Sequence, residues 1–334
     1  MPAMHDHPRT VFSGIKPTGA MTLGAYLGAL RRFVEMQRSA RCVFAVVDLH
    51  ALTVEHDPDR LRALTHHTAA VYLAAGLDPT ASILIRQSDV PEHTELAYLM
   101  ESAVYVGELT RMIQYKEKGR GRPKTRASLL TYPALMAADI LLYRTTEVPV
   151  GDDQSQHLEL TRDLAQRFNR TYGEVFVVPE MMRAQVAARV MDLQQPTAKM
   201  SKSTADDSLG VIRVLDPPDL VRRKVMRAVT DSMNAVRYDV TRQPGVSNLL
   251  DILAACRGES DPASLAEEFS SYGELKREVA DAVVGVLEPI QKRYADLAKD
   301  PAAVEDILRR GAERARALAA PTIAAAKRAI GLSC

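Results

Sequence analysis

A chain of 334 residues, 46% hydrophobic and 25% charged, is long enough for two domains and a sizeable core, and its composition is that of an ordinary soluble globular protein. Lys plus Arg number 43 against 42 for Asp plus Glu, so a net charge of +1 gives no bulk attraction to nucleic acid, and any polyanion site has to come from local clustering. Cys42, Cys256 and Cys334 are far apart and form neither a metal-ligand spacing nor a disulfide framework, which fits a reducing cytoplasm; no apolar run reads as a signal peptide or membrane span.

Residues 1–8, with His5 and His7, read as a flexible tail. Val11 to Ile15 is a short apolar run ending near Gly14, a buried strand entering the turn Lys16-Pro17-Thr18-Gly19. A helix opens over Ala20 to Leu27, with Leu23, Leu27, Leu30 and Val34 on one face. A strand, a glycine-containing loop and a helix N-terminus together form an anion site, because free N–H groups and the helix dipole point at the same place. Gly24 would let a ligand approach the backbone. The same unit serves only as structure in many α/β proteins.

Cys42 to Asp48 is a continuous apolar run, as in a central parallel strand, and Asp48 and His50 lie just past its carboxyl end, where open α/β sheets take their ligands. Pro58 to Ala75 reads as a helix stopped by Gly76, Ser82 to Ile85 as a strand, and Glu92 to Tyr105 as a helix. The alternation predicts a Rossmann-like parallel sheet.

Tyr115 to Arg126 holds Lys116, Lys118, Arg120, Arg122, Lys124 and Arg126 against the single acid Glu117, interrupted by Gly119, Gly121 and Pro123. It reads as a basic loop, either solvated surface or a clamp on phosphates or an RNA backbone. Ser128 to Tyr143 is an apolar helix with one charge, Asp139, and Tyr132, Met136 and Asp139 share a face. A carboxylate there needs a partner. That partner is either structural, a backbone amide or an arginine, or it is a ligand that is mostly hydrocarbon with one N–H or O–H. Glu147 to Val150 is a further strand. Gly151-Asp152-Asp153-Gln154 at its end, before the helix Ser155 to Phe168, suits a ribose and an amino group.

Ala198-Lys199-Met200-Ser201-Lys202-Ser203 puts two lysines three residues apart, with a hydroxyl on each side of the second. Such a loop is usually solvated surface, but it could also swing over a triphosphate and stabilise a leaving pyrophosphate. From about Leu209 the chain reads as all-helical, with helices near Asp219–Val229, Val246–Cys256, Ser264–Phe269, Leu275–Leu297 and Ala302–Ile330 and an irregular stretch over Thr230–Gly245. The basic residues Arg309, Arg310, Arg314, Arg316, Lys327 and Arg328 of the last helix read as a solvated face.

Lys199 to Ser203 matches the second signature of class I aminoacyl-tRNA synthetases. The order Phe12-Ser13-Gly14-Ile15, Val47 to Ala51, Gly107 to Met112, Leu130 to Pro133, Met136 to Leu141, Val150 to Gln154 and Pro244 to Leu250 resembles the bacterial tryptophanyl-tRNA synthetases over nearly the whole chain. The resemblance implies an α/β catalytic domain over residues 9–208 with a dimerising insertion, and a helical anticodon-binding domain over 209–334. It implies ATP-dependent activation of L-tryptophan and transfer to tRNA(Trp) by a cytoplasmic homodimer, with Mg²⁺ accompanying ATP, no protein-bound metal, and no membrane or DNA partner. Lys199, Lys202, Lys118 and Thr22 would be catalytic. ATP would meet Lys16 and Thr18 in the turn after the first strand and Thr22, Leu23, Gly24 and Ala25 around the first signature. Gly151, Asp152 and Asp153 would face it from the strand end, and Lys199, Met200, Ser201 and Lys202 from the second signature; Val190 would meet it as well. Phe12, Gly14, His50, Tyr132, Met136 and Gln154 would line the tryptophan pocket, with Asp139 accepting the indole N–H.

Three positions depart from the family pattern. Ala25 stands where a polar residue is expected, and Leu49 where His50 would have a polar neighbour. Lys16 stands where glutamine is expected and adds a cation beside the pocket, which would change how tryptophan and its analogues are weighed. The chain also contains no tryptophan, so under the implied activity it could be translated while charged tRNA is scarce; a small-sample accident explains the same fact. The other readings are a tyrosyl-tRNA synthetase, a non-charging paralogue that keeps a nucleotide site, and a generic nucleotidyltransferase. The intact lysines and the Gly-Asp-Asp-Gln turn speak against the paralogue, and the helical region against the nucleotidyltransferase.

Overall fold

The computed structural model describes residues 9–151, 155–183, 190–201 and 208–332; His5, His7, Asp152, Asp153, Gln154, Lys202 and Ser203 lie outside the described residues. Thr10–Ile15 forms β1, buried except at Gly14. It pairs in parallel with β2 (Arg41–Val46), from Thr10 opposite Arg41 to Ile15 opposite Val46, and on its other side with β4 (Glu147–Val150). The edge strands are β3 (Ile83–Arg86) and β5 (Glu180–Arg183), giving the all-parallel order β3-β2-β1-β4-β5. β5 has no counterpart among the predicted elements. It is a four-residue edge strand with no continuous apolar run of its own, because an edge strand is not buried on both sides.

Side chains alternate across the sheet and feed two cores. Val11, Ile15, Phe44, Val46 and Leu84 face one. Phe12, Val43, Ala45, Ile83 and Ile85 face the other. The first core takes α1, which runs from Leu23 to Met36 with a π-helical turn over Tyr26–Leu30, and α2 (Pro58–Ala75). Asp57 caps α2 by accepting from the Arg60 N–H at 2.7 Å, Pro58 occupies its first turn, and Gly76 ends it at φ 110°. The second core takes α3 (Glu92–Ala103), α4 (Ala127–Leu141) and α5 (Ser155–Tyr172). Tyr115 to Lys118, read from sequence as the start of a loop, belong instead to a short helix over Ile113–Lys118, and the turns begin at Gly119.

Residues from 209 onward contain no strand among those described. They form α6 (Pro218–Met226), α7 (Pro244–Arg257), α8 (Tyr272–Leu297) and α9 (Pro301–Ala329). These helices share the sheet's cores. Val304 and Leu308 of α9 join the first, and Ala315, Ala319 and Ile323 the second, so α9 passes the β3 edge of the sheet. Part of its basic stretch is therefore docking contact and not solvated face. Arg314 donates to the carbonyls of Pro79 (2.6 Å) and Ser82 (3.1 Å), Arg316 meets Glu92 at 3.4 Å, and Lys327 meets Glu95 at 2.8 Å.

At the crossing, a β-carbon on Gly311 would stand 1.8 Å from the Leu84 carbonyl oxygen. Gly311→Ala is expected to cost about 1–3 kcal/mol by overpacking, read as a lower denaturant midpoint with the transition slope unchanged.

Candidate active site

The carboxyl ends of β1, β2 and β3 carry the turns that build the site. Asp48, after β2, accepts from the Leu49 N–H at 3.1 Å and so caps the 3₁₀ turn Leu49–Thr53. The same carboxylate accepts from the Ser88 N–H (3.0 Å) and hydroxyl (2.5 Å), tying this turn to the turn Gln87–Asp89 after β3. The first turn then points two side chains in useful directions. His50 Nε2 lies 2.8 Å from Asp139 Oδ2, and Thr53 Oγ1 accepts from Lys16 Nζ at 3.0 Å.

Asp139 is 1% exposed. Its Oδ1 accepts from Gln87 Nε2 and from His93 Nδ1, both at 2.7 Å. Burial opposes its charge, but the two histidines outweigh burial and hold the carboxyl at about 2. Its partners are thus two imidazoles and an amide, not the backbone amide or arginine considered from sequence. Met136 packs half-buried on the same helix, and the Tyr132 ring stands edge-on to His50 at 6.1 Å. The Tyr132 hydroxyl is hydrogen-bonded to His157 Nε2. Phe12 is buried and stacks on Tyr143 at 5.7 Å, while Gly14 is exposed on β1 and leaves no room for a side chain, since a β-carbon there would meet Val47 at 2.6 Å.

Beside this cluster stand the cations. Burial, and then the charge of Lys118, push the Lys16 ammonium below its ordinary value. Lys118 itself is exposed, and the turns that follow it border an open cleft of about 400 Å³ lined by Tyr115, Arg122, Thr125, Arg126 and Leu130. Arg126 and Ser128 both donate to the Leu52 carbonyl, at 3.3 and 3.4 Å, so the basic segment is fastened to the turn that carries His50. Thr18 and Gly151 are exposed at the ends of the turn after β1 and of β4.

The first-signature residues are held from below. Thr22 is buried and its hydroxyl caps α1 by accepting from the Ala25 N–H at 3.2 Å. Leu23 is wholly buried and its N–H donates to the Ile212 carbonyl at 2.8 Å. The space left by Gly24 is occupied by Val190, whose Cβ would lie 3.2 Å from an added methyl. Val190 accepts from the Met200 N–H at 3.2 Å, Met191 bridges Lys199, and Met200 is buried, leaving Lys199 and Ser201 exposed above α1. The segment is gripped from the helical region: Asn248 accepts from the Met191 N–H at 2.8 Å and donates to its carbonyl at 3.1 Å.

The family model for class I tRNA synthetases of the tryptophan and tyrosine type matches residues 4–288. Tryptophan–tRNA ligase 1 of Streptomyces avermitilis is 57% identical, over 97% of this chain and 99% of its own. The chain belongs to the class I tryptophanyl-tRNA synthetases. Among solved members, the Mycoplasma pneumoniae tryptophanyl-tRNA synthetase superposes with a TM-score of 0.88 at 38% identity over 98% of this chain and 99% of that one. The Campylobacter jejuni tryptophanyl-tRNA synthetase, solved with ADP and tryptophan, superposes with a TM-score of 0.81 at 31% identity over 97% and 100%.

In this member of the tryptophanyl-tRNA synthetases the sequence left several site residues unread, among them Gln87, His93, Tyr143 and Asn248. Gln87 sits just past β3, a strand-end position that could have drawn notice. His93 and Tyr143 lie in apolar helical surroundings and carry no local signal. Asn248 stands 57 residues from its partner. Asn248→Ala would leave the Met191 N–H without its acceptor, a loss of about 1–3 kcal/mol, and is expected to lower the thermal midpoint and raise KM for ATP more than KM for the amino acid.

Proposed function

We propose that this synthetase activates L-tryptophan with ATP and transfers it to the 3′ end of tRNA(Trp). The carrying observation is the ionised, buried Asp139 at the apolar cluster, with the cations Lys16 and Lys118 beside it. A fixed carboxylate suits an indole N–H, and a substrate without that donor leaves it short of a partner. An ammonium group held below its ordinary value by burial and by a second ammonium nearby suits a polyphosphate.

In the first step a tryptophan carboxylate oxygen attacks the α-phosphorus, the bond to the bridging oxygen breaks, and pyrophosphate leaves with the electron pair. In the second, a hydroxyl of the terminal ribose attacks the acyl carbon, its proton is lost, and AMP leaves. No side-chain nucleophile enters. Positioning and charge stabilisation carry the rate, with Lys16, Lys118, Lys199 and Lys202 on the phosphates and Thr22, Gly24 and Val190 forming the floor under the nucleotide. ATP brings Mg²⁺ on its own phosphate oxygens. In this reading Asp153 and Gln154 serve the ribose and the amino group, and the enzyme works in the cytoplasm.

The partners follow from surface chemistry. Tyr98, Tyr105, Val106 and Ile113 each keep more than half their surface exposed, a face suited to a second copy of the chain. Met233, Tyr238 and Val240 are exposed, the last two between Arg237 and Arg242, a mixture of stacking and cationic groups suited to the anticodon bases.

Exchange of labelled pyrophosphate into ATP, with tryptophan and tyrosine run side by side, tests the reading. Exchange with tryptophan alone is expected; exchange driven by tyrosine overturns the specificity, and none with either overturns the activity. Lys16→Gln removes a charged contact worth about 1.5 kcal/mol, so KM for ATP is expected to rise roughly tenfold. The ranking of indole analogues should change with it, and unmoved constants would remove Lys16 from the site.

A further inference from the structure

The two oxygens of Asp139 are treated differently. Oδ1 is filled by donors from Gln87 and His93, both 0% exposed, at 2.7 Å each. Among the described residues Oδ2 has a single partner, His50, at 2.8 Å, on the side of the cluster where His50 retains 12% of its side-chain surface. Each anchoring residue is itself fixed. Gln87 Oε1 accepts from the Leu49 N–H at 3.2 Å, which sets the amide so that Nε2 faces the carboxylate. His93 Nε2 lies 2.7 Å from the Tyr143 hydroxyl. Because Nδ1 faces a carboxylate it carries a proton, and the Tyr143 hydroxyl, which can donate or accept, fixes the ring at Nε2. Tyr143 is held in turn by stacking on Phe12.

We propose that Gln87 and His93, with Tyr143 behind His93, are positioning residues for amino-acid selection: they saturate Oδ1 of Asp139 and so turn Oδ2 toward the substrate as the acceptor for a heteroaromatic N–H. The terminal torsion of an aspartate is broad and is not set by its own rotamer. In a closed apolar setting the donors decide which oxygen is offered and in what direction. The inference rests on the reading of Asp139 as that acceptor.

The test is pyrophosphate exchange with tryptophan and with its sulfur isostere, in which the ring N–H is replaced by sulfur at nearly constant shape. The quantity read is the ratio of kcat/KM for the two substrates. A residue that merely supports the core would lower both values together and leave the ratio alone. His93→Leu and Gln87→Met are expected to reduce the preference for tryptophan at least tenfold. His93→Asn, which keeps a donor near the Nδ1 position, is expected to retain most of it. Should His93→Leu fail to fold, Tyr143→Phe removes a single hydroxyl and is expected to reduce the preference two- to fivefold. Asp139→Asn separates the two levels of the argument. If Asp139→Asn abolishes the preference while the Gln87, His93 and Tyr143 variants keep it, the positioning role is overturned and the acceptor role stands. If Asp139→Asn itself leaves the preference unchanged, both are overturned.

Discussion

The central position of β1 in a parallel sheet is the constraint from which the rest follows. With β2 on one side and β4 on the other, the connections leave β1 in opposite directions, and a crevice opens above its carboxyl end. Backbone polarity does the remaining placement. Parallel strands all end on the same edge, so the turns after β1, β2 and β3 and the exposed Gly151 after β4 meet there without any side chain having to reach far. Asp48 shows how little is needed to join them, since one carboxylate caps the turn after β2 and holds the turn after β3.

A second constraint ties the lysine segment to the helical region. The strap Val211–Asp216 lies against the first signature, with the Val214 N–H donating to the Met21 carbonyl at 2.9 Å and the Leu23 N–H to Ile212. From beneath, Lys224 is 1% exposed and donates to the Val211 carbonyl and Asp216 Oδ2, both at 2.7 Å, and Gln291 donates to the carbonyls of Val214 and Asp216, both at 2.9 Å. A buried ion pair of this kind contributes little net stability against an apolar replacement, yet breaking it would leave an uncompensated charge, so it fixes one arrangement of the strap. Together with Asn248 on Met191, these contacts mean that α7 and α8 cannot shift relative to the sheet without moving the backbone beside Lys199. The helical region and the lysine segment are mechanically continuous.

Much of this was legible in the sequence where one residue type has one physical use. Apolar runs marked β1 and β2, Pro58 and Gly76 bounded α2, and a lone acid in an apolar helix marked Asp139. Legibility ended where a contact depends on residues distant in the chain. The sequence shows that Asp139 needs a partner, but not that His50 and His93 supply it from 89 and 46 residues away. Gly24 shows the same limit: its place at a helix N-terminus is legible, but not that Val190 packs beside it, 3.2 Å from where a β-carbon would stand. The arginines of α9 read as solvated because a helix face is ambiguous until its neighbour is known, and here the neighbour includes the loop carbonyls before β3.

The electrostatic arrangement gives the site its direction. A chain with a net charge of +1 has no long-range field to spend on a polyanion, so attraction has to be made locally, and the local charges are segregated. The anion Asp139 is sunk in the core and neutralised by donors on every oxygen, which confines its influence to a hydrogen bond's length. The cations stand outward of it, with Lys16 half-buried against Thr53 and Lys118 and Lys199 exposed. Lys16 is the costly member, because burial and a like charge both act against it. That cost is recovered only when negative charge arrives between the lysines. The single turn Leu49–Thr53 touches both sides, His50 on the anion and Thr53 on the cation, so a ligand that displaces one contact is felt at the other.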